Sequence, residues 1–200
     1  MITEEFSGVS IRSYVANSIF SITSSYPLLK FKNLFFYRAA GGSIFNFTRS
    51  TAPSGTEIEN CGLDLAGGGQ GWVQTLDSGS PVRDVIKNSY FFSSGASYLI
   101  NFTVNNNSYL KIKYSEFRGN SLSVSALMVF NVAEGIIMNL TLQNCNFIVD
   151  NSTYIIDKTG NGTLNIFVSN CGALRTADNS IPALVNPNAE GTVNIYYMNM

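Results

Sequence analysis

The chain has 200 residues, of which 45% are hydrophobic and 12% charged, a length that suits one sizeable domain. Its 12 basic and 13 acidic residues leave a formal net charge of −1, and it contains no histidine, so no basic field for nucleic acid, acidic tail or histidine-dependent triad is expected. Asn, Ser, Thr and Gly carry the polarity, which favours strands and turns, and no apolar run reaches the about 18 residues of a membrane-spanning helix.

The first residues, Met1-Ile2-Thr3-Glu4-Glu5-Phe6, carry two acids where a secretory signal carries bases, so no such signal is expected. Asn-x-Ser/Thr triplets at Asn46, Asn101, Asn106, Asn139, Asn151 and Asn161 then follow from composition and do not imply glycosylation. Ile11 to Ala16 reads as a short helix or strand, and Ser18 to Ile22 as a strand of an incomplete coil. Residues 1–17 are expected to form an N-terminal cap or attachment segment, with residues 18–200 as the main body.

From Phe31 onwards one hexamer recurs around a central anchor, Asn33, Asn60, Asn88, Tyr114, Asn144 and Asn170, with a cut-off copy at Asn199. The spacings between anchors are 27, 28, 26, 30, 26 and 29 residues. A period in the twenties with strand-forming residues is the signature of a solenoid. Two residues before the anchor stand Phe31, Ile58, Ile86, Ile112, Leu142 and Val168, and the residue between is always polar. That alternation describes a strand with one face inside. After the anchor, Leu34, Cys61, Ser89, Ser115, Cys145 and Cys171 form one inward column, and Phe36, Leu63, Phe91, Phe117, Phe147 and Ala173 another.

The anchor interrupts the alternation, which predicts a tight bend. Asn tolerates the left-handed backbone region better than other non-glycine residues. Coils stacked about 4.8 Å apart would align these Asn side chains into an amide ladder, broken at Tyr114. Burial of each Phe in the aromatic column contributes about 2–3 kcal/mol.

A further strand region follows each anchor: Ser43–Phe47, Trp72–Leu76, Tyr98–Phe102, Leu127–Phe130, Tyr154–Ile156 and Ala183–Val185. Glycine-rich stretches such as Gly67 to Gly71, together with all five prolines, lie between strand regions. The three cysteines share one interior column, so they are expected to be buried free thiols behaving as small hydrophobes. Cys145 and Cys171 fall on adjacent coils, but an odd total and an interior column argue against a disulfide framework. Metal ligation would need His or a Cys-x-x-Cys spacing, and neither occurs, so no metal or cofactor is expected.

These columns resemble the right-handed parallel β-helix, the fold of pectate-lyase-like proteins and phage tailspikes. The resemblance spans roughly Leu28 to Asn199 and rests on the Asn bends, the Phe column and the coil length. It implies an all-β, single-stranded solenoid of about six coils of 26–30 residues. It says little about activity, because the fold carries both lyases and inert structural pieces.

No column holds two acids. Glu59 faces Lys32 and Lys87, Glu116 stands between Tyr90 and Asn146, and Asp64 between Tyr37 and Phe92. Asp150 and Asp157 are the one pair that a turn could bring together for hydrolysis. Arg38, Arg118 and Arg175 lie at similar offsets without an accompanying acid cluster, so the calcium and arginine machinery of a pectate lyase carries over to no position. Tyr37, Trp72, Tyr90 and Phe92 are candidates for a glycan-stacking strip or a subunit interface, where aromatics are also enriched.

By its resemblance to phage spikes, the chain is expected to be a non-catalytic structural component on the exterior of a tailed-phage particle. A short spike, head fibre or tailspike-like homotrimer is expected, with a host surface polysaccharide as a possible ligand. The chain stops at Met200 partway through a coil, where another virion protein is expected to cover the open edge. The alternatives are a polysaccharide lyase or glycoside hydrolase working in a groove along the coils, and a secreted adhesin.

Overall fold

A computed structural model describes residues 3–14, 17–23, 28–38, 41–49, 55–65, 69–77, 81–95, 98–120, 126–150 and 154–198, with side chains from Gly8 onwards. The described residues form strands, bends and turns without a helix. The first strands are β1 (Thr3–Ser7), β2 (Ser10–Ser13) and β3 (Phe20–Thr23). Six three-stranded coils follow. They are β4 (Leu28–Lys32), β5 (Phe35–Arg38) and β6 (Ser43–Arg49); β7 (Thr56–Glu59), β8 (Gly62–Leu65) and β9 (Gln70–Leu76); and β10 (Arg83–Lys87), β11 (Tyr90–Ser93) and β12 (Ile100–Val104). Then come β13 (Ser108–Lys113), β14 (Glu116–Gly119) and β15 (Met128–Val132); β16 (Ile137–Gln143), β17 (Asn146–Val149) and β18 (Tyr154–Thr159); and β19 (Thr163–Ser169), β20 (Gly172–Arg175) and β21 (Ala183–Val185). The strand β22 (Thr192–Tyr197) lies beyond them.

Every third strand pairs with its counterpart one coil on, always in parallel. Sheet 1 runs β1-β4-β7-β10-β13-β16-β19-β22, sheet 2 runs β2-β5-β8-β11-β14-β17-β20, and sheet 3 runs β3-β6-β9-β12-β15-β18-β21. The architecture is a parallel β-solenoid of about six turns. The segment expected to be a cap contributes β1 and β2, which pair in register with β4 and β5 and so cover the first full coil with strands.

The bends explain the coil. Asn33, Asn60, Asn88, Tyr114, Asn144 and Asn170 all have positive φ, between 49° and 55°. Before each bend the N–H bonds forward, as Asn33 N to Glu59 O at 3.1 Å; after it, Gly62 N bonds back to Leu34 O at 2.9 Å. One left-handed residue therefore redirects the strand and separates sheet 1 from sheet 2. Gly8, with φ of 74°, performs the same turn between β1 and β2.

The expected columns are continuous. Ile58, Ile86, Ile112, Leu142 and Val168 are in register and buried. Phe91, Phe117 and Phe147 stack in one row, with centroids 4.7 and 5.8 Å apart. At the N-terminal end the core is aromatic instead, with Phe20, Phe31, Phe36 and Phe45 within 6 Å of one another in most pairs.

The cysteine and serine column is more than apolar filling. Cys61 N donates to Ser89 Oγ at 3.1 Å, Ser89 N to Ser115 Oγ at 3.1 Å, and Cys145 N to Cys171 Sγ at 3.4 Å. Each side chain in turn donates to the carbonyl two residues before it, as Ser89 Oγ to Lys87 O at 2.8 Å and Cys145 Sγ to Gln143 O at 3.4 Å. A hydroxyl or thiol here satisfies a backbone N–H buried at the bend, which explains why Cys and Ser both serve in this column. All three cysteines are free.

Among the described residues the bend column has one amide–amide bond, Asn60 Nδ2 to Asn33 Oδ1 at 3.2 Å. A longer amide ladder lies on the outer face of sheet 1. Asn165 donates to Asn139 and Asn194 donates to Asn165, both at 3.0 Å. Nearer the N-terminus the same face carries an ion ladder, in which Lys87 meets Glu57 at 2.6 Å and Glu59 at 3.1 Å, and Lys32 meets Glu59 at 3.4 Å.

Candidate functional site

Strands of sheet 2 are short, and each shows two side chains outwards. The first outward column reads Ser10, Phe35, Gly62, Tyr90, Glu116, Asn146 and Gly172. The other reads Arg12, Tyr37, Asp64, Phe92, Arg118, Ile148 and Leu174. The period-2 alternation thus delivers Tyr37, Tyr90 and Phe92 to one flat face, as their positions relative to the bends require.

Tyr90 and Phe92 project from the same strand with rings 6.2 Å apart and only 8° from parallel. Tyr90 is 37% exposed. Tyr37 lies on the same face two coils away, with Asp64 between it and Phe92. Its ring meets Tyr14 at 6.3 Å, and the Arg12 guanidinium lies 6.0 Å from its centroid. Phe35, 43% exposed, is an aromatic of this face that sequence reasoning missed. It leans over Gly62, where a Cβ would fall 2.7 Å from its Cδ2. The signal was a glycine directly across from an aromatic in an outward column. Beside Phe35 a hollow of about 470 Å³ follows the bends, lined by Val9, Asn33 and Asn60 among others.

Trp72 leaves this group. It is 0% exposed, packs edge-on against Phe45, Phe47 and Phe102, and donates its indole N–H to Gln74 Oε1 at 3.2 Å. Gln74 Nε2 passes the network on to Asp84 Oδ2 at 2.6 Å, and Asp84 Oδ1 accepts from Thr56 N at 2.7 Å. Arg49 donates to the Thr56 hydroxyl in the same buried corner. Burial pushes the Asp84 carboxyl up, against the pull of Arg49, Gln74 and the Thr56 N–H. A polar interior corner of this kind accommodates an indole that an exposed strip would otherwise claim.

The polar groups around the rings are a mixed set. Asn146 Nδ2 donates to Glu116 Oε2 at 3.3 Å, and Arg118 Nε to Asn120 Oδ1 at 3.3 Å. Burial raises the Asp64 carboxyl, whose Oδ1 has no hydrogen-bond partner among the described residues. Burial likewise raises the Tyr90 phenol, with Arg118 pulling the other way and Glu116 and Asp64 adding to the rise. The phenol is therefore a neutral donor and acceptor at physiological pH.

Asp64 and Glu116 stand two coils and two residues apart, a backbone separation of about 12 Å. Tyr90 and Phe92 occupy the coil between them, filling with rings the space a scissile bond and its water would need. Asp150 follows β17 and Asp157 lies within β18, each with its own partner: Asp150 accepts from the Thr176 hydroxyl at 2.9 Å, and Asp157 from Asn186 Nδ2 at 3.0 Å. Arg38 and Arg175 share an inward column, whereas Arg118 points outwards one residue earlier. Arg38 is buried and donates to the carbonyls of Asn17, Gly41 and Ser43. Among the described residues no group of three or more His, Cys, Asp or Glu is placed to hold a metal ion, and no helix is long and apolar enough to cross a membrane.

The fold defines a class, the parallel β-solenoids, and the site within it is an aromatic strip on one sheet. No protein family matches the chain, and no match is found among curated proteins or among solved structures.

Proposed function

We propose that this chain is a rigid, non-catalytic structural solenoid on the exterior of a tailed-phage particle, a spike, head fibre or tailspike-like protein that binds a host surface glycan along sheet 2. The observation that carries the reading is the near-parallel pair of the exposed Tyr90 and the half-buried Phe92, aligned with Phe35 and Tyr37 on one face. Pyranose rings present apolar C–H faces that stack on such aromatics, while Asn146, Glu116, Arg118 and the Tyr90 hydroxyl supply neutral and charged partners for hydroxyl groups. The virion assignment is supported by the resemblance of the coil pattern to right-handed β-helices of the pectate-lyase-like and tailspike-like type. By the same resemblance the protein is a homotrimer with solenoids side by side.

The test is a binding titration of the purified chain against host capsular and pectic polysaccharides, with light scattering for the oligomeric state. Tyr90→Ala and Phe92→Ala each weaken binding about tenfold, and the particle mass is that of three chains. A stable monomer at micromolar concentration overturns the trimer. Binding indifferent to both variants overturns the glycan face. Depolymerisation that depends on Asp150 or Asp157 replaces the reading with that of an enzyme.

A further inference from the structure

The column of hydroxyls and thiols behind the bends contains one place where two sulfurs follow each other. Cys145 comes directly after Asn144, and Cys171 directly after Asn170, on adjacent coils. Gly172 N bonds to Cys145 O at 2.9 Å, which locks the two segments in register, and Cys145 N points at Cys171 Sγ at 3.4 Å. Neighbouring strands place such residues about 4.8 Å apart at Cα, inside the window of about 4.4–6.8 Å that a disulfide spans. Cys61, the third member, has Leu34 and Ser89 as its column neighbours and no sulfur within a coil.

The two thiols are not equivalent. Cys145 is buried and Cys171 is partly buried at the edge of the core. We propose that Cys145 and Cys171 form a peroxide-responsive pair, in which Cys171 is oxidised first and Cys145 resolves it to a disulfide joining the bends that precede β17 and β20. The neighbouring Cys145 thiol, with help from the Cys145 N–H that points at the sulfur, holds the Cys171 thiol below its ordinary range despite its partial burial. The neighbouring Cys171 thiol and burial push Cys145 up. A larger share of Cys171 than of an ordinary cysteine is then thiolate, the form that reacts with peroxide, beside a thiol placed to resolve it.

The chemistry balances. The Cys171 thiolate attacks one oxygen of hydrogen peroxide, the O–O bond breaks, and hydroxide leaves, giving a sulfenic acid. The Cys145 sulfur then attacks the Cys171 sulfur and loses its proton. The S–O bond breaks and the oxygen leaves as water. Two thiols are oxidised, and one peroxide is reduced to two waters once the hydroxide takes up a proton.

The experiment uses the whole 200-residue chain, reduced, freed of reductant, treated with hydrogen peroxide, alkylated and digested without reduction. The expected product is one intramolecular Cys145–Cys171 peptide, two hydrogen masses lighter than its parts and reversed by dithiothreitol, with Cys61 alkylated throughout. The initial rate falls as pH is lowered, following the thiolate, with a midpoint below that of Cys61. Cys145→Ser stops at a sulfenic acid on Cys171 that dimedone traps. Cys171→Ser leaves Cys145 unreacted. Both variants install the hydroxyl that Ser89 and Ser115 already carry in this column, so the fold accommodates them. Should either fail to fold, the peptide map and pH profile of the unaltered chain decide alone. A product linked between chains, prior oxidation of Cys145, or a Cys171 that alkylates normally after peroxide treatment overturns the proposal.

Discussion

Tyr114 sits in the left-handed region at φ of 50°, at a bend where five other coils place Asn. An aromatic residue has no local hydrogen bond to offset the crowding of its Cβ there, so the bend stores about 1 kcal/mol. The residue is 56% exposed, and little packing is lost with its ring. Tyr114→Asn therefore raises stability by about 1 kcal/mol, read as a higher urea midpoint with unchanged slope. The Asn anchors are legible in the sequence because a single backbone requirement selects a single residue type. Gly8 meets the same requirement without a side chain to mark it, and so it escapes pattern reading. Trp72 escapes for the opposite reason. Its inward position depends on Gln74 and Asp84, and neither one's burial shows in a local pattern. Asp178 is a further single-residue case: the Ser180 hydroxyl, the Arg175 guanidinium and the Ser180 N–H hold its carboxyl down at about 2. A lowered value means the ionised form supports the folded turn above the ordinary carboxylate range, and that support is lost as pH falls towards 2. Ser180→Ala moves the Asp178 midpoint upwards in an NMR titration.

Two ladders operate at the scale of the strand and its bend. Ser89 accepts the buried N–H of Cys61 and donates to Lys87 O. Ser89→Ala leaves that N–H unpartnered and costs about 1–3 kcal/mol, whereas Ser89→Cys keeps the partner and is close to neutral. Chemical denaturation of the two variants separates them. The column was legible as inward-facing from its spacing alone. Its hydrogen bonding was not, because Leu34 and Cys61 in the same column read as apolar. The Phe row is the second ladder. Phe117 lies between Phe91 and Phe147 and is fully buried. Phe117→Ala opens a cavity with rigid aromatic walls on both sides and costs about 3–5 kcal/mol. Near-neutral behaviour in thermal melts would contradict that packing.

Across the whole molecule, the coil count, the inward columns and the paired faces of sheet 2 follow from one repeat, and each was legible in the spacing of the anchors. The third strand of each coil was legible as a strand, while its sheet partner came from the periodicity and not from its own residues. Phe35 as part of the exposed face was the missing piece, because its exposure depends on Gly62 one coil further on. Each repeat touches chiefly its two neighbours. The central strands β13 and β16 are buried between coils, and β22 has neighbours on one side only among the described residues. Amide hydrogen exchange is accordingly slowest in β13 and β16 and faster towards β22.

The bends divide the polypeptide into interchangeable units. Excising Ser115 to Asn144 would join one bend directly to the residue that follows the next, carry Phe147 onto Phe91, and leave every sheet with one strand fewer. The particle would become shorter by about 4.8 Å, a change small-angle scattering can measure, with its cross-section unaltered. Length in such a molecule is quantised, and whole rungs can be added or removed as one resizes a stack.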